Sequence, residues 1–304
     1  MEVKTGELQV HFNTIIRQNL PDDVFDKLEK KLNEAVETQI KMKFSLLFSS
    51  IPRLTGKAPL VVSPDLQAAL SADRKGFSPL DWTIDRFCRV YLLLHLDSML
   101  LHPDSPFGQE EYLVRIDELF SAAEVYEQVA LYSALPLYHF PEEFRFRTTE
   151  GIRTNITDVF DAIALDNPYP FDYLDEAAWN QMVLKALFMQ RPIYRIYGLD
   201  QRANASLARI LSDYAHERWS AGRPVSPELW RCFGPFINGS SFKDIERLLT
   251  GSDPFREEAA VLACYDSDHP KAKEVLAAHS GLAEKAQAGE LSWNTLGVAF
   301  AKEA

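Results

Sequence analysis

Cysteine is scarce and scattered in this chain of 304 residues. Cys88, Cys232 and Cys264 are odd in number and form no Cys-x-x-Cys pair, which excludes a disulfide framework and a thiolate zinc site. Basic charge is also short: 32 Lys and Arg stand against 44 Asp and Glu, a formal net charge of −12. A phosphate backbone is gripped by clustered cations, so no nucleic-acid partner is expected. The one basic concentration, "KLEKKLNEAVETQIKMK" (27–43), is interleaved with Glu and apolar residues at helical spacing and reads as a solvated helix face.

Long apolar runs are missing too. "FCRVYLLLHLDSMLL" (87–101) is interrupted by Arg89, His95 and Asp97, too short and too polar to span a bilayer, so direct membrane insertion is not expected. "MEVKTGELQVHFN" has no basic start, apolar centre and small-residue cleavage site of a secretory leader. A cytoplasmic protein with reduced thiols is expected on these grounds. Phosphate-cradling and nucleophile-elbow motifs are absent: there is no Gly-x-Gly-x-x-Gly and no Gly-x-Ser-x-Gly, and "RLTGKAP" (53–59) lacks both the earlier glycine and the following Ser or Thr of a phosphate loop. No Asn-Gly or Asp-Gly turn separates two alternating runs. "PLVV" (59–62) is the only strand-like fragment, and a core linker explains it equally well.

What is present is helical. Ser63-Pro64, Ser78-Pro79, Ser226-Pro227 and Asp253-Pro254 each put a capping oxygen before a proline that opens an apolar-periodic run. Proline is harmless at the first helical position, where its missing N–H has no intrahelical partner. Asp81 three residues after Ser78 adds a loose capping box. The periodicity predicts helices near 5–19, 22–37, 39–50, 64–72, 79–101, 109–135, 142–148 and 150–165. It continues near 174–190, 202–220, 227–233, 241–250, 254–265, 270–279 and 291–301. The expected fold is all-α, built of stacked helical hairpins as a HEAT-like α-solenoid or an irregular multi-helical array. No low-complexity linker divides it. One domain over 1–304 is expected, with an N-terminal helical part to 140, a core over 141–234, and HEAT-like helices over 235–304.

Three fragments invite chemistry. His216-Glu217 opens like a zinc-protease helix, but Ser220 stands where the second histidine belongs, so one face of the helix cannot grip a metal. "DDVFD" (22–26) matches a magnesium-diphosphate pattern. It follows Pro21, where acidic side chains favour a helix N-terminus, and no partner motif follows downstream. No metal or cofactor is expected. The third fragment is the polar content of apolar helices in the middle third. "AAWNQMVLKALFM" (177–189) is apolar around most of its circumference, with Gln181 and Lys185 on a narrow seam and Asn180 at its edge. A lysine there needs a carboxylate partner or a wet cavity. "EGIRTNITDVF" (150–160) supplies Glu150, Arg153 and Asn155; "GLDQRANASL" (198–207) supplies Asp200, Arg202 and Asn204. Three neighbouring helices that each begin with such a cluster would turn them to a common groove. Helix caps and inter-helix ion pairs use the same residue types.

Five segments, "LFSSIPRLTGKAPL" (47–60), "DELFSAAEVYEQVALYSALPLY" (117–138), "EGIRTNITDVFDAIALDNPYP" (150–170), "WNQMVLKALF" (179–188) and "GLDQRANASLARILSDYAHERWSAGRPVSPELW" (198–230), together resemble the EboA family. The resemblance implies a component of a bacterial gene cluster that moves a secondary-metabolite precursor across the inner membrane. Its partners would be other proteins of that cluster, including a membrane prenyltransferase, and a small-molecule precursor. The protein would be cytoplasmic, peripheral to the inner membrane through a partner. The resemblance transfers no catalytic residue. The matched polar positions, Glu150, Arg153, Asn155, Asn180, Lys185, Asp200, Arg202, Asn204, His216, Glu217, Arg218 and Arg223, are the candidate ligand or partner groove. The resulting expectation is a non-enzymatic scaffold or small-molecule carrier. The alternative is an enzyme modifying a prenylated or aromatic precursor, with Lys185, His216 and Glu217 as acid–base groups.

Overall fold

A computed structural model describes residues 5–39, 41–79, 81–102 and 105–303. Over these residues the chain folds into eighteen α-helices and five short 3-10 segments, with a lone bridge between Pro59 and Thr83 in place of any sheet. The expected all-α class holds. Backbone packing divides the chain into two compact units, Met1–Leu174 and Asp175–Ala304.

The first unit carries α1 (Thr5–Asn19), α2 (Asp22–Thr38), α3 (Lys41–Thr55), α4 (Pro64–Asp73), α5 (Ile84–Leu94) and α6 (Leu96–Leu100), then α7 (Gln109–Ala122), α8 (Val125–Ser133), α9 (Arg145–Ile152), α10 (Thr157–Ala164) and α11 (Tyr169–Tyr173). Helix α2 shows the logic of a surface helix. Phe25, Leu28, Leu32 and Ala35 recur at three- and four-residue intervals and are buried. Asp23 and Lys27 pair at 2.8 Å on the exposed face, so "DDVFD" begins a helix. Helix α5 is the opposite case. Every residue but Arg86 is buried, as expected of a helix packed on several sides, here by α1, α3 and α8. The Phe12 and Phe87 rings stack there with centroids 4.2 Å apart.

The second unit carries α12 (Glu176–Phe188), α13 (Ala205–Ser220), α14 (Phe242–Leu248), α15 (Pro254–Tyr265), α16 (Pro270–Ala278), α17 (Ser280–Gln287) and α18 (Trp293–Glu303). Its centre is α15, where Ala259 through Cys264 are all buried. Four small residues in that run let α14, α16, α17, α18 and the 3-10 segment Pro227–Cys232 pack close around it. The approach is tight enough that a Cβ on Gly234 would lie 2.6 Å from the Ala263 carbonyl oxygen.

Several expected boundaries move. Pro79 does not open a helix, and Ser78 with Asp81 is no capping box: the Pro79 carbonyl accepts from Trp82 N, and Ala58 and Leu60 bond across to Ile84 and Trp82 before α5 begins. The expected 79–101 helix then breaks at His95, whose Nδ1–H donates to the Tyr91 carbonyl at 2.9 Å while Gln9 donates to Leu94 O. The expected 109–135 helix breaks at Ala123. Glu124 caps α8 and receives the Glu127 side chain in return, a capping box built on Glu instead of Ser or Thr. "EGIRTN" closes α9 and does not open α10, because Arg153 N and Thr154 N turn back to Glu150 O and Gly151 O. Ser226-Pro227 opens a 3-10 segment where an α-helix was expected. Helices α11 and α17 fall where none was expected.

Candidate functional site

In the second unit, Asp175 caps α12 by accepting from Ala178 N at 2.8 Å, and Asn204 caps α13 by accepting from Leu207 N at 2.8 Å. Trp179, Met182, Val183, Ala186 and Leu187 are buried along α12, which leaves Gln181 and Lys185 on its remaining face. Helix α13 ends in a Schellman motif. Gly222 N bonds to Trp219 O and Arg223 N to Arg218 O, with Gly222 at φ 66. Only glycine takes that left-handed turn without steric penalty. Arg218 then clamps the returning chain, donating through Nε and Nη2 to the Pro224 carbonyl at 3.0 and 2.9 Å.

This local chemistry shapes two adjoining hollows. A depression of about 380 Å³ is lined by Gln181, Lys185, Phe188, Glu217, Arg218 and Arg223. Burial alone holds the Lys185 ammonium below the usual lysine range. Tyr214 and Arg218 also line a second cleft of about 460 Å³, whose wall is largely apolar: Leu187, Pro192, Tyr194, Val225, Leu229 and Phe300. Into that wall is built Glu228, only 4% exposed. Burial raises its carboxyl from 4.5 to about 7, opposed by a hydrogen bond from Tyr194 N at 2.9 Å and by the charge of Arg231.

Of the sequence candidates, the structure brings Lys185, Glu217, Arg218 and Arg223 together. Others in the second unit are bonded to or stacked on neighbouring side chains. Asn180 and Asn204 exchange side-chain amide hydrogen bonds at 3.2 and 2.9 Å. Asp200 accepts a bidentate pair from Arg231 Nε and Nη2 at 2.6 and 2.7 Å, and Arg231 Nη1 also reaches Asn294. Arg202 lies over the Trp179 ring, 4.6 Å from its centroid. His216 Nε2 bonds to one oxygen of Asp244 at 2.6 Å while Ser212 donates to the other at 2.8 Å. Serine, histidine and aspartate thus meet without a triad, because both partners bind the carboxylate and no bond joins serine to histidine. The bridge fastens α13 to α14. In the first unit, Glu150 and Arg153 pair with each other at 2.5 Å on the surface, and Asn155 is exposed. A separate hollow there, about 430 Å³, is lined by Lys41, Phe44, Phe48, Leu96, Arg115 and Glu118 among others and holds no sequence candidate.

Sequence reasoning missed Glu228, Tyr194 and Tyr214. The signal for Glu228 was its place in "SPELW" (226–230), a proline-opened turn in which Leu and Trp follow the carboxylate directly and draw it inside. Among the described residues no group of three or more His, Cys, Asp or Glu is placed to hold a metal ion.

A family model described as metabolite traffic protein EboA matches residues 8–234. No curated protein and no solved structure matches the chain. Most of the cleft wall lies inside the matched span; Asp253, Arg256, Phe300 and Ala301 lie beyond it.

Proposed function

The chain belongs to the EboA family, and we propose that it serves metabolite traffic as a small-molecule carrier whose binding site is the cleft of the second unit. One observation carries this reading: a cleft of about 460 Å³ with an apolar surface from Leu187, Pro192, Val225, Leu229 and Phe300, and polar groups that include Tyr194, Tyr214, Arg218 and Glu228 beside Gln190, Arg191, Ser226, Asp253 and Arg256. That volume and lining are those of sites which enclose a compact organic molecule and orient it through a small number of hydrogen bonds. Near neutral pH Glu228 is poised between donor and acceptor, so it offers a ligand hydroxyl or carbonyl either partner at little desolvation cost.

Native mass spectrometry of the protein purified from its own host tests the proposal. The wild-type chain should carry a stoichiometric small-molecule adduct, and Ala301→Trp, which adds bulk at the cleft lining, should lose it. Recovery of the unliganded chain alone would contradict the carrier reading and favour a scaffold that binds partner proteins of its gene cluster.

A second reading has its own support. Lys185, held below its usual range, shares a depression with Glu217, which suits an acid–base pair acting on a precursor. His216 is turned to Asp244 and is not among the residues lining that depression. An enzyme would lose turnover with Lys185→Ala while keeping its fold; a carrier would show no turnover to lose.

A further inference from the structure

A third hollow of the second unit, about 300 Å³, has three arginines in its wall: Arg223, Arg247 and Arg256. In a chain of net charge −12, three guanidinium groups around one small concavity are out of keeping with the general surface. Among the described residues, none lining it is a carboxylate. Each arginine is held by a different device. Arg223 follows Gly222 in the Schellman turn, its backbone N–H bonded to Arg218 O at 2.9 Å. Arg247 lies over the Trp219 ring at 4.2 Å, and Trp219 is itself stacked on the buried Trp230. Arg256 is ion-paired with Asp253, its Nε 3.2 Å from a carboxylate oxygen, which leaves its outer nitrogens to other acceptors. Among the described residues, neither Arg223 nor Arg247 has a carboxylate partner.

We propose that Arg223, Arg247 and Arg256 form a binding site for a phosphate-bearing group. A planar guanidinium offers paired donors that match phosphate oxygens, and stacking on an aromatic face fixes its plane without occupying its N–H edge. With Arg256 paired to Asp253, the three guanidinium groups keep two uncompensated positive charges, which favours a phosphate or diphosphate over a single carboxylate. The site shares Val225 and Arg256 with the apolar cleft. On the carrier reading, on which this part rests, the ligand is a phosphate ester with its anionic end among the arginines and its apolar body in the cleft. The site also joins the family-matched span, which supplies Arg223, to the tail beyond residue 234, which supplies Arg247 and Arg256.

Calorimetric titration of the full chain with inorganic pyrophosphate at low ionic strength tests the arginine site alone, since that probe has no apolar body. Saturable binding at one site per chain is expected, weakened about tenfold or more by Arg223→Gln and by Arg247→Gln. Arg209→Gln, an exposed substitution elsewhere on α13, should leave it unchanged, and added salt should weaken it. Arg223 is exposed and makes no side-chain pairing, so its variant should fold even if Arg247→Gln does not. Absence of binding, or equal weakening by Arg209→Gln, would overturn the proposal. Binding of pyrophosphate alone assigns a soluble phosphate ester. Added co-sedimentation with phosphatidylcholine vesicles containing phosphatidic acid, lost in the same variants, assigns a lipid headgroup. Ala301→Trp should abolish an apolar probe's binding but spare pyrophosphate, so the two readings can fail separately.

Discussion

Glu228 accepts a hydrogen bond from the backbone N–H of Tyr194 at 2.9 Å, which ties the 3-10 segment of one cleft wall to the 3-10 turn Ile193–Arg195. Folding keeps the Glu228 proton on up to about pH 7, whereas the unfolded chain releases it near 4.5. Below 4.5 both states are protonated and the folded state bears no charging penalty. As pH rises from 4.5 to about 7 only the unfolded chain ionises, so stability falls, by on the order of 3 kcal/mol once the window is crossed. Glu228→Gln should flatten this dependence and be about 1–3 kcal/mol more stable than wild type at pH 8. Urea unfolding at pH 4, 6 and 8 measures it. Parallel pH profiles for the two proteins would contradict the assignment.

Gly297 of α18 sits against the same pair. A Cβ there would lie 2.5 Å from the Tyr194 ring and 2.7 Å from the Glu228 carboxylate. Gly297→Ala should therefore destabilise the protein by about 1–3 kcal/mol through overpacking, although alanine is the better helix former. Thermal denaturation reads the sign directly; a stabilised variant would mean that this wall yields.

The reciprocal Asn180–Asn204 bond is a fastening of α12 to the cap of α13. Asn204→Ala removes the cap and strands a buried amide, an expected loss of about 1–3 kcal/mol. A double-mutant cycle with Asn180→Ala should return a coupling of at least about 0.5 kcal/mol. Additive effects would show that the two side chains act separately.

In the first unit, Asp85 and Arg89 form a buried pair at 3.2 Å, with Arg89 also donating to Phe48 O. Asp85→Ala should destabilise by about 3–5 kcal/mol because it leaves a buried guanidinium unpaired. The double variant Asp85→Leu, Arg89→Met should recover much of that loss. Chemical denaturation of both variants separates a needed ion pair from a merely tolerated one.

These particulars show why the sequence revealed some parts and hid others. Helix α15 was legible because apolar spacing and the Asp253-Pro254 cap agreed, and α2 through its apolar spacing. The break at Ala123 was not, since Glu124 and Glu127 look like ordinary helix formers and cap only by reaching each other's backbone. Lys185 stood out as a charge in apolar company, Glu217 beside His216 in an incomplete metal motif, and Arg218 and Arg223 as polar positions of the family-like segments. Asp200 and Asn180 stood out equally, and the difference lies in Arg231 and Asn204, partners 31 and 24 residues away. Glu228 had a local signal in "SPELW", but the groups that set its environment, on α18 and at Tyr194, are distant in the chain.

The central claim, that the second unit's cleft takes an apolar ligand, is tested most directly by fluorescence titration with anilinonaphthalene sulfonate. Wild type should bind one probe per chain with saturable enhancement. Ala301→Trp, in the cleft, should abolish it, and Ser45→Trp, in the first unit's hollow, should leave it intact. No saturable binding, or loss in Ser45→Trp with retention in Ala301→Trp, would contradict the account.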